Sequence, residues 1–173
     1  MEQLTLRKPT INDINLINDF KTELEINKSS WDGTSDLKNY DDISKWLIWV
    51  ENKESKETCP PYLVTSTQYI FVKDENKIIG MVNVRHNLNE NNKTIGGHIG
   101  YSIVPSERNK GYGTLQLKYT LEKCKELGLE KVLITCNSKN IASKEIIIKN
   151  NGIFENNIIS CDDIFERYWI DIC

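Results

Sequence analysis

The sequence predicts an α+β chain: a central, mostly antiparallel mixed sheet flanked by helices. Two features point there. Apolar and polar residues alternate in short runs around tight turns up to about residue 104, and from Pro105 onward helical periodicity takes turns with short apolar stretches. Tight turns make antiparallel neighbours and helical crossovers make parallel ones, so this order of elements gives one mixed sheet with helices packed on it.

Leu4-Thr5-Leu6-Arg7 alternates like a short edge strand. Behind Pro9-Thr10, the residues Ile11, Ile14, Leu16, Ile17 and Phe20 share a helical face. Residues 29–40, rich in Ser, Asp, Asn and Gly around Trp31, form a loop, and residues 41–53 place Ile43, Trp46, Leu47 and Val50 at helical spacing. After Cys59-Pro60-Pro61, residues 68–73 and 77–86 read as a hairpin turning at Asp74-Glu75-Asn76. A polar loop over 87–94 and a strand over 97–104 follow. Beyond Pro105 come a helix over 112–127 closed by Gly128, a strand over 131–135 and a helix over 141–150. Strands near 153–155 and 165–170 complete the chain. No repeat or linker divides it, so residues 1–173 read as one domain.

Composition narrows the function. With 39% apolar and 27% charged residues the chain is a folded type, and a net charge of -3 gives no global drive toward nucleic acid or anionic membranes. No apolar window is long enough to span a bilayer, and Met1-Glu2-Gln3-Leu4 does not open a signal peptide. The five cysteines are odd in number and lack C-x-x-C spacing, which fits neither a disulfide framework nor a metal site and points to a reducing, cytoplasmic setting.

The chemistry-bearing stretch is Arg108-Asn109-Lys110-Gly111-Tyr112-Gly113-Thr114, between a strand and an amphipathic helix. The first turn of a helix has unpaired N–H groups and a positive dipole end, so a Gly-x-Gly approach can wrap an anion, and Arg108 and Lys110 add cations suited to pyrophosphate. A Walker A loop is absent, and a dinucleotide fingerprint would need glycine where Gln116 stands.

Arg-x-x-Gly-x-Gly after a strand and opening a helix resembles the acetyl-CoA pyrophosphate signature of the GNAT N-acetyltransferase superfamily, matched by Arg108, Gly111 and Gly113. The likeness continues in Asn140 and Ser143, which open the next helix as the family's Asn and small residue do, although the segment ends in Gly-x-Phe instead of Gly-Phe. Arg85-His86-Asn87-Leu88-Asn89, Gly96 to Tyr101 and Arg167-Tyr168-Trp169 resemble a subgroup described only as predicted acetyltransferases. The resemblance implies the GNAT acyl-CoA N-acyltransferase fold and acetyl-CoA as cosubstrate without a metal. The acceptor would be an amine of a small molecule, peptide or protein, and pairing of two copies through sheet edges or C-terminal strands is compatible with it. Ile103 and Val104 would offer backbone groups to the pantetheine arm, with Asn140 nearby.

Amide formation from a thioester needs a base for the amine and an acid for the departing thiolate. The family's usual acid, a tyrosine seven residues after the helix-opening Asn, is replaced by Ile147, which leaves Tyr101, Tyr112, Tyr168 or water. His86 and His98 are the only histidines, and a connection centred on Asn92 would set them opposite each other on adjacent strands. His98, Tyr101 and His86 are thus the catalytic candidates. Trp31, Trp46 and Trp49 with Asp32, Asp36, Asp41 and Asp42 would either line a pocket for a cationic amine or be core residues and a solvated loop. A CoA-binding sensor without turnover is the competing function.

Overall fold

A computed structural model describes residues 2–172. The chain runs β1 (Leu4–Arg7), α1 (Ile14–Ile26), α2 (Ile43–Asn52), β2 (Ser66–Lys73), β3 (Lys77–Arg85), α3 (Glu90–Thr94), β4 (Ile99–Ile103) and α4 (Tyr112–Glu126). It continues through β5 (Lys131–Asn137), α5 (Ile141–Lys149), β6 (Ile153–Ser160) and β7 (Asp163–Asp171).

The expected central sheet is divided. β1 to β4 form a four-stranded sheet in that order, and β5-β7-β6 form a three-stranded one; all of their ladders are antiparallel. Where β4 begins, His98 N–H donates to Leu133 C=O at 2.7 Å, and the His98 ring accepts back from Leu133 N–H through Nδ1 at 2.9 Å. A side-chain nitrogen takes the place of a backbone acceptor in this pair, and no β4–β5 ladder continues past it. The sheets therefore touch at one end of β4 and part along the rest.

Alternation along the strands sends helices to both faces of the first sheet. Phe71 meets Tyr119 of α4 edge-on at 5.9 Å, and Leu117, Thr120 and Cys124 of α4 are buried. From the other face, α1 contributes Ile17, Phe20 and Leu24, and α2 contributes Ile43, Trp46 and Val50. Complete burial of side chains such as Phe20 or Leu24 is worth about 1.5–3 kcal/mol each. Ile11, placed on the α1 face from the sequence, is 62% exposed because the helix proper starts only at Ile14.

Two other local expectations change. The loop over 87–94 contains the short helix α3, capped by Asn89 Oδ1, which accepts from Asn92 N–H at 2.9 Å. The two C-terminal strands are longer than expected and form a hairpin whose turn, Cys161-Asp162, has φ of 48° and 67°. Two left-handed residues are what a tight hairpin needs; without glycine there the turn carried no sequence signal.

The loop between α1 and α2 is pinned across β4. Gly33, at φ 73°, lies so close that a Cβ there would sit 2.4 Å from the Gly100 carbonyl oxygen. Gln68 Nε2 donates to Gly33 C=O at 2.7 Å, Ser35 Oγ donates to Gln68 Oε1 at 2.6 Å, and Trp46 Nε1 donates to Thr34 C=O at 3.0 Å. Gly33→Ala is expected to lower unfolding free energy by about 2–3 kcal/mol through strain and overpacking, measured by urea denaturation. An unchanged midpoint would mean that this crossing is loose.

Candidate active site

The gap between β4 and β5 leaves one edge of β4 without a strand partner. Arg85 N–H donates to His98 C=O and Val104 N–H to Ile79 C=O, so the even-numbered residues of β4 turn their backbone groups toward β3. Ile99, Tyr101 and Ile103 turn theirs toward the gap. This corrects the expectation for Val104, whose N–H is engaged by Ile79 and whose carbonyl accepts from Glu107 N–H at 3.0 Å. Ile103 lies on the gap side, although its carbonyl already accepts from Arg108 Nε at 2.9 Å. Tyr101 shares that edge, which is readable only once the register is known.

At the end of this edge sits the start of α4. Gly111 is its N-cap at φ 85°, with no side-chain cap and nothing within 4 Å of where a Cβ would stand. Asn109 is also left-handed, at φ 61°. The first helical bond is Leu115 N–H to Gly111 C=O, and among the described residues no loop or turn carbonyl accepts from the N–H groups of 109–114. This is an open cradle of backbone donors at a helix dipole's positive end, which suits a phosphate group. Gly113 has a different reason to be glycine: a Cβ there would lie 2.5 Å from Ile146 Cδ1, so it lets α4 pack on α5. Asn150 Nδ2 ties the same junction by donating to Thr114 C=O and Ile146 C=O.

The cations beside the cradle are partly engaged. Arg108 Nη2 donates to Ser29 Oγ at 2.5 Å, strapping the α1–α2 loop to the end of β4. Lys110 pairs with Glu107 at 3.0 Å, and Lys77 pairs with the same buried carboxylate at 3.0 Å, with Lys73 at 3.8 Å. Lys73 also pairs with Glu2 at 2.9 Å and Lys77 lies 4.0 Å from Glu23, so the three lysines are matched by three glutamates, and Arg108 is the cation beside the cradle with no carboxylate in ion-pair distance among the described residues. Tyr112 points away from the cradle: its hydroxyl donates to Glu2 at 2.6 Å and accepts from Lys73 at 3.0 Å.

Across the gap, Asn140 caps α5 by accepting from Ser143 N–H at 3.1 Å, and Ser143 Oγ lies 2.8 Å from the Tyr101 hydroxyl. Tyr101 thus reaches from β4 to α5 through the gap. Burial, above all, pushes its pKa up, so its phenol is protonated at neutral pH. Ile147 is fully buried, packed so tightly that a Cβ on Gly152 would meet its Cγ2 at 2.4 Å. Tyr168 donates to Glu166 at 2.5 Å, and Glu166 also pairs with Lys144 at 2.9 Å. Glu166 stands opposite Cys136 across the β5–β7 ladder, a grouping that residue spacing alone does not reveal.

The paired-histidine expectation fails by one residue. Arg85, not His86, faces His98, because α3 and its flanks take up an even number of positions, and a one-residue slip reverses the face. His86 Nε2 instead lies 2.8 Å from Thr67 Oγ1. The tryptophan expectation resolves toward the core: Trp46 is fully buried, and Lys53 Nζ sits 5.6 Å from the Trp49 ring, where an amine would have stacked.

The family described as acetyltransferase (GNAT) domain matches residues 3–152. The chain belongs to the GNAT acetyltransferases. YnaD of Bacillus subtilis strain 168, an uncharacterized N-acetyltransferase, is 28% identical over 111 residues, covering 60% of this chain and 61% of that protein. The aligned stretch is thus less than two thirds of that relative's length.

Among solved structures, the microcin C7 self-immunity acetyltransferase MccE, in complex with acetyl-CoA and AMP, matches with TM-score 0.70 at 17% identity, covering 98% of this chain and 92% of that one. A GNAT-family acetyltransferase from Streptococcus pneumoniae matches with TM-score 0.68 at 17% identity, covering 99% and 100%. A chimera of the spermidine N-acetyltransferase SpeG from Vibrio cholerae with hSSAT gives TM-score 0.66 at 15% identity, covering 98% and 96%. At these identities the likeness is one of fold.

Within this GNAT framework His98 holds two sheets together. Burial first, and the Arg85 charge second, lower its pKa to about 4, whereas an unfolded histidine titrates near 6.5. As pH falls the unfolded chain takes the proton first, so the contribution is complete above about pH 6.5 and is lost toward pH 4. His98→Asn, whose Oδ1 can still accept from Leu133 N–H, is expected to show a flatter stability profile than wild type over that window in urea titrations. Parallel profiles would remove His98 from the account. His86, also lowered by burial, contributes equally to both proteins and cancels in the comparison.

Proposed function

We propose that the chain is an acetyl-CoA-dependent N-acetyltransferase that transfers the acetyl group to a primary amine by direct attack on the thioester. The observation that carries this reading is the free edge of β4, which leads from an open helix N-terminal cradle to a protonated tyrosine. The backbone N–H groups at the start of α4 hold the pyrophosphate, with Arg108, Asn109 and Lys110 at its rim. The backbone of Tyr101 and Ile103, beside Asn140 and Ser143, aligns the pantetheine amides like an added strand. Acetyl-CoA supplies the activated acyl group.

The neutral amine nitrogen attacks the thioester carbon, the carbon–sulfur bond breaks, and the amine's proton leaves to water. Tyr101 gives its phenolic proton to the departing thiolate and regains one from solvent. Tyr112 and Tyr168 are held by Glu2, Lys73 and Glu166, which favours Tyr101 for this role. Neither histidine is used: the Nδ1 lone pair of His98 is engaged by Leu133, and His86 lies beside Thr67.

The buried Ile147 favours a second reading, a CoA-binding sensor without turnover. Calorimetry with acetyl-CoA followed by thiol release across an amine panel separates the two. Binding with amine-dependent release is expected, lost in Gly111→Glu and kept in Gly111→Asn, since asparagine tolerates the left-handed backbone. Tyr101→Phe is expected to lower kcat by roughly 10²-fold with little change in acetyl-CoA affinity. Binding without release for every amine selects the sensor, and absence of binding rejects both.

A further inference from the structure

The face of β3 and β4 that carries His98 also carries Arg85, one cross-strand position away, and near them lies Lys53 at the end of α2. Among the described residues no carboxylate lies within ion-pair distance of Arg85 or Lys53. Arg7, Lys8, Lys73, Lys77, Lys110, Lys144 and Arg167 all have such partners. The nearest charges make this costlier. Desolvation disfavours the charged form of both Lys53 and Arg85, and Arg85 further disfavours that of Lys53; the exposed Asp36 and, less strongly, Cys59 act the other way on Lys53.

Their donors are underused. Arg85 donates to Gly97 C=O at 2.9 Å and Gly96 C=O at 3.3 Å, both through Nη1, so Nη2 and Nε have no protein acceptor. Lys53 Nζ has only Ser35 Oγ, at 3.5 Å, and the face of Trp49. A half-buried cation pair without an anion is expensive unless a ligand supplies the negative charge, and an arginine fork is well shaped for a carboxylate or a phosphate.

We propose that Arg85 and Lys53 hold an anionic group of the acceptor, so that the substrate class is a small amine that also carries a carboxylate or a phosphate. This rests on the acetyl-transfer reading above. The thioester lies along β4 near Tyr101, while Arg85 is level with His98, three residues back, about 10 Å at the rise of a strand. Arg85 Nη1 is held by the Gly96 and Gly97 carbonyls on the side of His98 away from Tyr101, so arginine does not shorten that span; its unengaged Nη2 and the flexible Lys53 side chain suit the anionic end of a short amine acid or amine phosphate.

The test uses the full chain loaded with CoA and three probes of similar size: β-alanine, its neutral amide and aminoethyl phosphate. Each is titrated calorimetrically and then assayed for thiol release with acetyl-CoA. One or both anionic probes are expected to bind roughly 10-fold or more tightly than the amide, a factor equivalent to about 1.4 kcal/mol. Which of the two leads identifies the anion. Lys53→Met and Arg85→Met are expected to erase the preference without moving the dissociation constant for acetyl-CoA, and Arg85→Lys to keep part of it.

Because Arg85 also clamps two loop carbonyls, thermal melting accompanies its variants, and Lys53→Met carries the test if they are unstable. The inference is overturned if the amide binds as well as the anions, if no probe binds, or if the preference survives in Lys53→Met. Anion preference in the titration with no thiol release for any amine keeps the Arg85–Lys53 anion site and rejects the acetyl-transfer reading, and with it the acceptor role of the bound amine.

Discussion

The architecture of the site depends on one junction at the start of β4, where paired hydrogen bonds between His98 and Leu133, flanked by Gly96 N–H donating to Thr135 Oγ1, join the two sheets. The ring of His98 accepts in place of a backbone carbonyl there, and beyond this pair the strands part. Parting leaves the odd-numbered backbone groups of β4 without strand partners inside a folded protein, and of these only the Ile103 carbonyl is engaged, by Arg108 Nε, among the described residues. Such groups are costly when left dry, so an edge of this kind is a place for water or a ligand with amides of its own. A continuous ladder would have been more stable and would have had no gap.

The surroundings of that gap are fixed by interactions distant in sequence. Arg108 ties the end of β4 to Ser29, Gln68 and Trp46 tie the α1–α2 loop to the sheet, and Gly33 brings the loop against Gly100. The loop is thereby preorganised over the strand that leads to the cradle. At the start of α4, Glu107 collects three lysines, two of which also face Glu2 and Glu23, so these side chains are fixed in a paired network.

Much of this was legible in the residues. The glycine loop opening α4 and the Asn140 cap of α5 are local features, and local features carry local signals: a left-handed position, a cap, a change of period. The strands and helices up to Asp74 were readable for the same reason. What the sequence concealed is long-range. The one-residue difference between a His86–His98 pair and the observed Arg85–His98 pair depends on how α3 folds, which a polar run does not announce. The division of the sheet, the ring nitrogen that replaces a carbonyl at its junction, and the separate duties of Gly111 and Gly113 appear only when neighbours are in place. Gln68 gave a faint hint, a polar residue within an apolar strand, but its partner is 35 positions away.

The central claim is that the unpaired edge of β4 receives an acyl-CoA arm, and amide hydrogen exchange with and without acetyl-CoA tests it most directly. The account predicts slowed exchange at Tyr101 and Ile103 and at the first turn of α4, residues 112–114, with β1 and β2 unchanged. Saturating acetyl-CoA that leaves those amides exchanging as before, or that protects only the α1 and α2 face, would contradict it.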